Sequence, residues 1–411
     1  MSVRFAHDML VAGGGIGGLA AALACNHAGW RARVFERAPA FSEIGAGLQL
    51  GPNATRLLQG WGLADALDAV AYFPDALTVR DAAGNRALAC LPLGRDIAAR
   101  YGAPYATLHR ADLHALLLQA VRDTGETVLH LGVDAGSLQA GDDSVCLSGV
   151  PGVPGSGKGC EGDALVVADG LWSRLRADVL GDATPPRPTG HFAWRCLVER
   201  NALPLALRQA SAGVQVWLGP RLHVVAYPVR RGELLNLVVL AEAAPGMAAA
   251  AAPEDWNADA SPDELAGVLA GTHAGLRALT EAAGATGAWR RWMLHDRPPV
   301  ANAAAMARGR IALLGDAAHP MLPYLAQGAA MAIEDAAALQ QALAMDIGDV
   351  PLTLARYALQ RWQRVGRVQA RARRQAEIFH ADGPMRWGRD LAMRALGPRL
   401  LDQPWLWGEG R

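Results

Sequence analysis

The sequence predicts an α/β protein that combines a Rossmann-like nucleotide-binding domain with an antiparallel β-sheet domain and C-terminal helices. Three observations predict this fold. A strand, a glycine-rich turn, a helix and a second strand follow one another near the start of the chain. Strands without intervening helices fill residues 190–240, and a helical, arginine-rich tail begins near residue 352. A run of strands outside a βαβ unit indicates a separate antiparallel sheet.

The opening stretch, which ends at Glu36, predicts dinucleotide binding. Gly13, Gly15 and Gly18 fit G-x-G-x-x-G. The first glycine allows a tight turn, the second lets the backbone approach a pyrophosphate, and the third lets the helix pack closely on the strand. The helix directs its free N–H groups at the phosphates. Glu36 ends the second strand, about 20 residues on, where an acid binds a ribose hydroxyl. A glycine-rich turn in another α/β fold is the alternative, and it would not explain Glu36.

The composition is that of an ordinary globular protein. Of the 411 residues, 51% are hydrophobic and 19% are charged, and the formal net charge is +0. No global charge therefore favours nucleic acid or an anionic membrane as a partner. The five cysteines lack a C-x-x-C spacing, which favours free thiols in a reducing compartment. With no signal peptide and no apolar run approaching the ~20 residues of a membrane span, we expect a cytoplasmic monomer or homodimer.

The middle of the first domain alternates helices and strands. A helix with apolar residues at helical spacing is predicted from 53 to about 70, and 71–100 has the pattern of strand, turn, strand. An amphipathic helix opens at His109 and runs to about 124. Short strands follow at 128–131, 145–148 and 164–168.

Residues 152–159 nearly spell a phosphate-binding P-loop. The residue after Lys158 is Gly159, so the hydroxyl that should hold magnesium is missing. A strand rather than a helix follows. We interpret this segment as a flexible hairpin loop.

The second half predicts the antiparallel sheet and then a return to the first domain. Arg231-Gly232 joins the last two of its strands as a hairpin. A surface loop at 243–262, a helix at 263–283 and a strand at 310–314 come next. In the tail, Arg364, Arg367, Arg371 and Arg374 share one helix face, either a solvated face or a contact with a partner or cofactor phosphates. The sheet's strands are predicted at 190–199, 213–218, 222–229 and 233–240.

These elements give a discontinuous domain plan. One domain comprises 1–70, 101–182 and 296–345, a substrate domain comprises 71–100 and 183–295, and a C-terminal helical segment comprises 346–411.

Three short motifs, together with the opening glycines, resemble a known family. They are Arg110, Asp169-Gly170 and Gly315-Asp316. In combination they resemble the single-component FAD-dependent aromatic hydroxylases, the p-hydroxybenzoate hydroxylase-like flavoprotein monooxygenases. The match covers nearly the whole chain and is most similar to the 3-hydroxybenzoate, salicylate and 6-hydroxynicotinate hydroxylase branch. It implies a glutathione reductase-like, three-layer FAD-binding domain.

The resemblance also implies how FAD is bound, without a covalent bond. The ADP half would be held by Gly13, Gly15, Gly18, Glu36 and Arg37, and the isoalloxazine would be lined by Gly47 and Leu48. Arg110 would lie near the middle of the cofactor, Asp169 would contribute to FAD and nicotinamide binding, and Asp316 would bind the ribitol. Gly328 and Ala329 open a helix whose N–H groups would stabilise the reduced flavin.

By the same resemblance, the chemistry belongs to the flavin. NADH or NADPH would reduce FAD, O2 would form a C4a-hydroperoxide, and a small phenolic aromatic acid or N-heteroaromatic would be hydroxylated. No metal is required, and His295 and His319 form no ligand cluster with a nearby acid-rich motif. Three alternatives remain open: oxidative decarboxylation of the salicylate type, a flavin oxidase or dehydrogenase without oxygen insertion, and a non-enzymatic protein of the guanine-nucleotide dissociation inhibitor kind.

The candidates for activating the substrate ring are His223, Tyr227 and Gln327. Positions 223 and 227 share one face of the predicted strand 222–229, so both could reach one cavity. A histidine with a pKa near neutrality suits proton removal from a phenol. Gln327 enters by the resemblance. The alternative is a strand histidine bonded to a backbone carbonyl beside a core tyrosine, and His319 is the weaker candidate for proton transfer.

Overall fold

The computed structural model describes residues 7–41, 46–148, 159–243, 258–345 and 348–408. The chain divides into two compact units, each built from three chain segments. The first unit comprises Met1–Glu43, Leu113–Arg187 and Asp296–Arg371, and the second comprises Ile44–Asp112, Pro188–His295 and Ala372–Arg411. The sequence assigned residues 44–70 and 101–112 to the FAD-binding domain. In the structure these residues make their contacts mainly within the second compact unit.

The elements of the described residues are numbered in chain order. The strands are β1 Asp8–Ala12, β2 Arg31–Glu36, β3 Gly47–Leu50, β4 Ala76–Asp81, β5 Ala87–Pro92, β6 Ala106–His109, β7 Thr127–Leu131, β8 Ser137–Ala140, β9 Val145–Ser148, β10 Cys160–Gly162, β11 Ala164–Val167, β12 Arg187–Glu199, β13 Val214–Gly219, β14 Leu222–Val229, β15 Leu234–Glu242, β16 Ala258–Asp259, β17 Arg290–Asp296, β18 Ala307–Arg308 and β19 Ile311–Leu313. The helices are α1 Ile16–His27, α2 Pro52–Gly60, α3 Ala64–Val70, α4 Gly94–Tyr101, α5 Arg110–Thr124, α6 Leu175–Leu180, α7 Leu205–Ala210, α8 Pro262–Leu269, α9 Ala274–Thr286, α10 Gly328–Leu343, α11 Val350–Phe379, α12 Gly383–Leu396, α13 Pro398–Leu401 and α14 Pro404–Trp407.

The first unit is built on a six-stranded sheet in the order β18-β19-β11-β1-β2-β7. Every pairing from β19 to β7 is parallel, and only β18 runs antiparallel to its neighbour. The central strands β1 and β11 are almost wholly buried, as expected for strands covered on both faces. Helix α1 packs against α10. The parallel sheet confirms the predicted Rossmann-like architecture.

The second unit is built on an eight-stranded sheet in the order β16-β17-β12-β15-β14-β13-β4-β5. One face of its middle strands packs against α8 and α9 around a core that includes Trp194, Val224 and Leu237. Because side chains alternate along a strand, His223, Val225 and Tyr227 point away from this core. The long antiparallel strands β12, β14 and β15 and the helices at the end of the chain confirm the predicted fold class.

Two predicted helices are each interrupted. The helix predicted at 53–70 is α2 followed by α3, separated where Gly62 has a φ of +78°. The helix predicted at 263–283 is α8 followed by α9, whose first turn is capped by the side chain of His273. The segment 71–100, predicted as strand, turn and strand, also contains all of α4 except its last residue. The P-loop-like stretch at 152–158 and most of the predicted loop at 243–262 lie outside the described residues.

The predicted arginine face of the tail is only partly solvated. Arg367, Arg371 and Arg374 are exposed, but Arg364 is buried and paired with Glu334. None of the helices in the described part of the chain is both long and apolar enough to cross a membrane.

Candidate active site

The carboxyl ends of four adjacent parallel strands form the candidate site of the first unit. Gly13 follows β1, Glu36 ends β2, Asp169 follows β11, and Asp316 follows β19. These strands are consecutive in the sheet, so their carboxyl ends share one edge. Ligands of open α/β sheets bind outside this edge. The fold therefore gathers residues that are up to 300 positions apart in the sequence.

The three glycines of the first turn have different surroundings. Gly13 has a φ of +103°, and a Cβ there would lie 2.4 Å from the Ala168 carbonyl oxygen. A Cβ on Gly18 would lie 1.9 Å from the Gly13 carbonyl oxygen, so α1 crosses β1 too closely for any side chain. Around a Cβ on Gly15, no described atom lies within 4 Å. Gly15 is the N-cap residue of α1 and has no side chain, so the space beside the first turn of the helix stays open. This cradle fits a pyrophosphate.

Glu36 is fixed by the backbone on both sides. Its Oε2 accepts a hydrogen bond from the Gly14 N–H at 2.7 Å, and its Oε1 accepts from the Ala38 N–H at 2.8 Å. A carboxylate offers about four acceptor positions, so two ribose hydroxyls can still bind. The neighbouring Arg37 is exposed. Sequence reasoning missed His114. Its Nε2 is hydrogen-bonded to the Gly14 carbonyl oxygen at 2.7 Å, and this contact supports the glycine turn.

Asp169 follows β11, and the residue is exposed. Desolvation by the surrounding protein raises the pKa of its carboxyl, and a hydrogen bond from Ser173 opposes that shift. Ser173 also accepts from the Arg176 N–H at 3.0 Å. The buried Arg176 guanidinium donates to the carbonyls of Ala317 and Ala318 at 2.9 and 3.0 Å. The Asp169 turn is thereby tied to the backbone beside Asp316.

His319 supports the loop that carries Asp316. It is fully buried, and its Nε2 lies 2.5 Å from Asp335 Oδ2, which also accepts from the Gly315 N–H at 3.1 Å. Arg361 donates to Asp335 Oδ1 at 2.7 Å. Desolvation alone would raise the pKa of Asp335, but the charges of His319 and Arg361 outweigh it and lower that pKa. These contacts give His319 a structural role.

The start of α10 follows this loop. Gln327, 3% exposed, is the residue before the helix and makes no side-chain cap. No acidic residue stands in the first turn, which contains Gly328 and Ala329. The N–H groups of this turn are therefore available to a negatively charged group.

In the second unit, β3 borders the sheet face that points away from the core. The Gly47 N–H donates to Asn236 Oδ1 at 2.8 Å, and a Cβ on Gly47 would lie 2.7 Å from the Tyr227 ring. Leu48 is half-buried in the same strand. Arg110, at the start of α5, is exposed, and its N–H donates to the Ala46 carbonyl at 2.7 Å.

An opening lies in the middle of this sheet face. Val225 and Val238 are opposite each other on β14 and β15 and are half-buried, whereas the residues on either side along each strand are buried. Arg195 on β12 continues the same row, because it pairs with Val238. We call Val225 and Val238 the valine floor. His223 and Tyr227 flank this floor along β14.

Tyr227 is held by a chain of polar groups. The Tyr105 hydroxyl donates to Gln49 Oε1 at 2.6 Å, and Gln49 is hydrogen-bonded to Tyr227. Because the oxygen of Gln49 accepts from Tyr105, its amide N–H is the group that donates to Tyr227. Burial raises the pKa of Tyr227, so the phenol stays protonated and its O–H can donate to a ligand.

His223 is bound to a second histidine. Its Nδ1 lies 2.9 Å from His380 Nε2, and its ring packs edge-on against Phe379. Burial lowers the pKa of His223 well below the ordinary value, with further contributions from His380 and His191. This differs from the near-neutral pKa expected of a general base.

Arg195 is the strongest charge that sequence reasoning missed. It is 8% exposed and lies over the Trp292 ring at 5.0 Å. Burial lowers the pKa of Arg195 to about 10, and the positive charges of Arg110 and Arg290 add to the shift. A buried cation beside other cations attracts an anionic ligand. An arginine within the run of mostly apolar residues from Phe192 to Val198 was the signal available in the sequence.

Comparisons with known proteins agree with this geometry. Residues 6–372 match the family model described as "FAD binding domain". The chain is 36% identical over 403 residues to 3-hydroxybenzoate 6-hydroxylase of Polaromonas naphthalenivorans (strain CJ2), covering 97% of this chain and 95% of the relative. It is 38% identical over 400 residues to 3-amino-4-hydroxybenzoate 2-monooxygenase PtnB3 of Streptomyces platensis, covering 97% and 95%.

Solved structures show the same relationship. A salicylate hydroxylase substrate complex superposes with a TM-score of 0.79 at 26% identity, covering 98% of this chain and 96% of the other. HpxO of Klebsiella pneumoniae, complexed with FAD and uric acid, superposes with a TM-score of 0.81 at 26% identity, covering 96% and 94%. With the glycine turn and the strand-end carboxylates, these similarities show that the chain belongs to the FAD-dependent aromatic hydroxylases, the class A flavoprotein monooxygenases.

Proposed function

We propose that this enzyme hydroxylates a small aromatic carboxylic acid that carries a phenolic hydroxyl. The observation that carries the proposal is the valine floor, an apolar opening with a buried cation, Arg195, at one side and a phenol donor, Tyr227, at another. An apolar surface with a few convergent polar groups is typical of a small-ligand site. NADH or NADPH and O2 are the co-substrates, and we place the reaction in the cytoplasm, in a monomer or homodimer.

FAD is the cofactor of the family, and it supplies the chemistry that activates dioxygen and delivers one oxygen atom to the ring. We assign its adenosine and pyrophosphate to the Gly13–Gly18 turn with Glu36 and Arg37. Asp169 and Asp316 follow at the same sheet edge. By the family resemblance, Gly47, Leu48, Arg110, Gly328 and Ala329 contact the remainder of the cofactor.

The substrate carboxylate is assigned to Arg195. Strands β12 and β14 are separated by one strand, or about 10 Å. A hydroxybenzoate lying on the valine floor bridges that distance, with its carboxylate towards Arg195 and its ring on Val225 and Val238. A guanidinium binds a carboxylate through two parallel hydrogen bonds, which fixes the ring orientation. The relatives named for hydroxybenzoates support a substrate of this class.

The phenolic hydroxyl is assigned to the edge of the floor along β14. His223 and Tyr227 are four residues apart, about 13 Å along the strand, so a ring between them can meet both. Tyr227 donates a hydrogen bond to the substrate oxygen and thereby stabilises developing phenolate character. His223, which burial keeps neutral at pH 7, is the second candidate for contacting this hydroxyl. Gln327 is retained as a third candidate for binding this hydroxyl.

The first test follows nicotinamide oxidation, oxygen uptake and peroxide together, with monohydroxybenzoates, hydroxynicotinates and salicylate as substrates. A true substrate speeds nicotinamide oxidation and leaves little peroxide. Product analysis then distinguishes ring hydroxylation from decarboxylating hydroxylation. Stoichiometric peroxide without an oxygenated product from every compound would contradict the proposal and favour an oxidase.

Arg195→Gln tests the carboxylate assignment with the best substrate of that panel. Loss of a charge-assisted contact should lower kcat/KM roughly 10- to 150-fold, which corresponds to a loss of about 1.5–3 kcal/mol of transition-state stabilisation. The matched control is the carboxamide of the same substrate, which carries no charge. An equal loss for the acid and the amide would show that Arg195 does not bind the carboxylate.

A further inference from the structure

We propose that the second unit contains a binding site for a divalent transition-metal ion such as Zn²⁺, formed by His191, Glu242 and His380. One potential ligand atom from each of the three side chains lies within 4.8 Å of the other two. Two imidazoles and a carboxylate are ligands that Zn²⁺ favours, with a fourth position left for water. The proposal does not depend on the identity of the aromatic substrate.

The three residues are held in place by three different elements of the fold, and none of them needs a metal ion for its position. His191 and Glu242 are directly opposite each other on β12 and β15. His380 follows the end of α11, where its N–H donates to the Ala376 carbonyl at 3.0 Å. Its own carbonyl accepts from the Arg221 N–H at 3.0 Å. Two sheet strands and a fixed helix end therefore supply the ligands, so little ordering is needed when an ion binds.

The cluster is buried on one side only. His380 is buried. His191 and Glu242 are half-buried, which gives an ion a route from solvent.

His223 provides the hydrogen bond that orients the buried ligand. The Nε2 of His380 is committed to His223 Nδ1 at 2.9 Å, so Nδ1 is the atom of His380 that binds the ion. Metal-bound histidines commonly donate their other ring N–H to a neighbour, which fixes the tautomer. With a metal on Nδ1, the Nε2 of His380 carries a proton, and this N–H donates a hydrogen bond to the Nδ1 of His223.

Arg221 is the competitor for this site. Its Nε donates to Glu242 Oε2 at 2.7 Å, and its side chain is 61% exposed. Exposed ion pairs contribute little stability. A divalent ion that also binds two imidazoles can therefore displace Arg221 from Glu242, and removal of Arg221 should strengthen metal binding.

The test is calorimetric titration of the untagged, FAD-loaded enzyme with ZnCl2, repeated with CoCl2 for its visible absorption spectrum. The wild-type chain should bind one ion at saturation, with Co²⁺ bands typical of nitrogen and oxygen ligands. His191→Gln and Glu242→Gln should each weaken Zn²⁺ binding at least ~10-fold. His27→Gln, which changes an exposed histidine outside the cluster, is the matched control and should bind as the wild type does.

Arg221→Ala adds a variant that should gain affinity, which a folding defect cannot mimic. Tighter binding in Arg221→Ala and weaker binding in the two ligand variants would establish the site. The proposal is overturned if the wild type shows no saturable binding below millimolar Zn²⁺. It is equally overturned if His191→Gln and Glu242→Gln bind Zn²⁺ as tightly as His27→Gln does.

Discussion

Gly15 and Gly18 lie one helical turn apart, yet the absence of a side chain has a different reason at each. At Gly18 the reason is internal, because a Cβ would meet the Gly13 carbonyl oxygen at 1.9 Å. At Gly15 the reason is external, because a Cβ would enter space that contains no described protein atom within 4 Å. Gly18 is therefore required by the fold, whereas at Gly15 the protein itself leaves room for a side chain, and we propose that a ligand uses that room.

Alanine substitutions should separate these two roles. Gly18→Ala should destabilise the FAD-free protein by about 1–3 kcal/mol, since the backbone itself must move. Gly15→Ala should leave that stability unchanged but weaken FAD binding by roughly 10- to 150-fold, because the backbone no longer approaches the phosphates. Denaturant unfolding of the apoprotein and flavin titration measure the two quantities.

The control for both is Gly60→Ala, at the end of α2, where a Cβ also meets nothing within 4 Å. It should bind FAD as the wild type does. Normal flavin affinity in Gly15→Ala would contradict the assignment of this turn to the pyrophosphate.

Residues whose role follows from local spacing were predictable, and residues whose role depends on tertiary pairing were not. The glycine turn and Glu36 lie within one βαβ unit, so their arrangement can be inferred from spacing. Arg195 and Gln49 acquire their roles from strands that pair far along the chain. His380 meets His191 only because α11 ends beside β12, which is why a metal cluster was not expected from the sequence.

At the scale of elements, a buried ion network connects α10 and α11. Glu334 accepts from Arg361 and Arg364 at distances of 2.5–2.9 Å, and the next residue, Asp335, binds Arg361 and His319. All five side chains are buried. Removing one partner of such a network leaves a charge in a low-dielectric interior.

Asp335→Asn should therefore reduce the free energy of unfolding by about 3–5 kcal/mol at pH 7. The pKa of Asp335 is lowered in the folded state, so its contribution is complete above the unfolded-state pKa of about 3.9 and is lost as the pH falls through the folded-state pKa. The difference between variant and wild type should consequently shrink below about pH 4. Denaturant unfolding at several pH values measures it.

Asp259→Asn is the matched control, because the Asp259 side chain is 87% exposed and, among the described residues, pairs with Arg290. It should change stability little at any pH. A gap for Asp335→Asn that persisted unchanged at low pH would rule out the charge of Asp335 as its cause.

Sequence patterns do not show where a helix is interrupted or which element lies opposite it. Apolar spacing predicted α2 with α3, and α8 with α9, as continuous helices, since periodicity does not register a left-handed glycine or a side-chain cap. For the basic face of α11, the sequence left open a solvated face or a contact with a partner or cofactor phosphates, because it does not show that Glu334 lies opposite Arg364. The bounds of strands β12 to β15 were predicted closely, because the alternation of side chains and the turn before β15 are local signals.

At the scale of the whole molecule, the last forty residues complete the second unit. Arg386 pairs with Asp81 at 2.7 Å, and Trp407 packs edge-on against Tyr101 and Tyr105. His380 contributes its bond to His223. The predicted C-terminal helical segment, 346–411, is divided by compactness: its residues up to Arg371 group with the first unit, and Ala372–Arg411 group with the second.

A chain that ends at residue 371 should lose structure selectively. Hydrogen exchange should show reduced protection of β4 and β14, because Asp81 and His223 lose their partners, while β1 and β11 in the first unit stay protected. Unchanged protection of β14 in the shortened chain would show that the segment is dispensable for the second unit. The full-length chain measured in parallel is the reference.

The interleaving of the two units also governs how the protein is made. Strand β1 pairs with β11, and β11 pairs with β19, so β11 keeps one unpaired edge until residue 313 has been synthesised. The first unit is complete only at Arg371 and the second only in the segment that follows. At ribosomal rates, residue 371 emerges roughly 20–70 s after the start. During that time apolar strands wait with unpaired edges, which are templates for aggregation. Because each unit includes a late segment of the chain, neither can complete its fold until most of these residues have been translated.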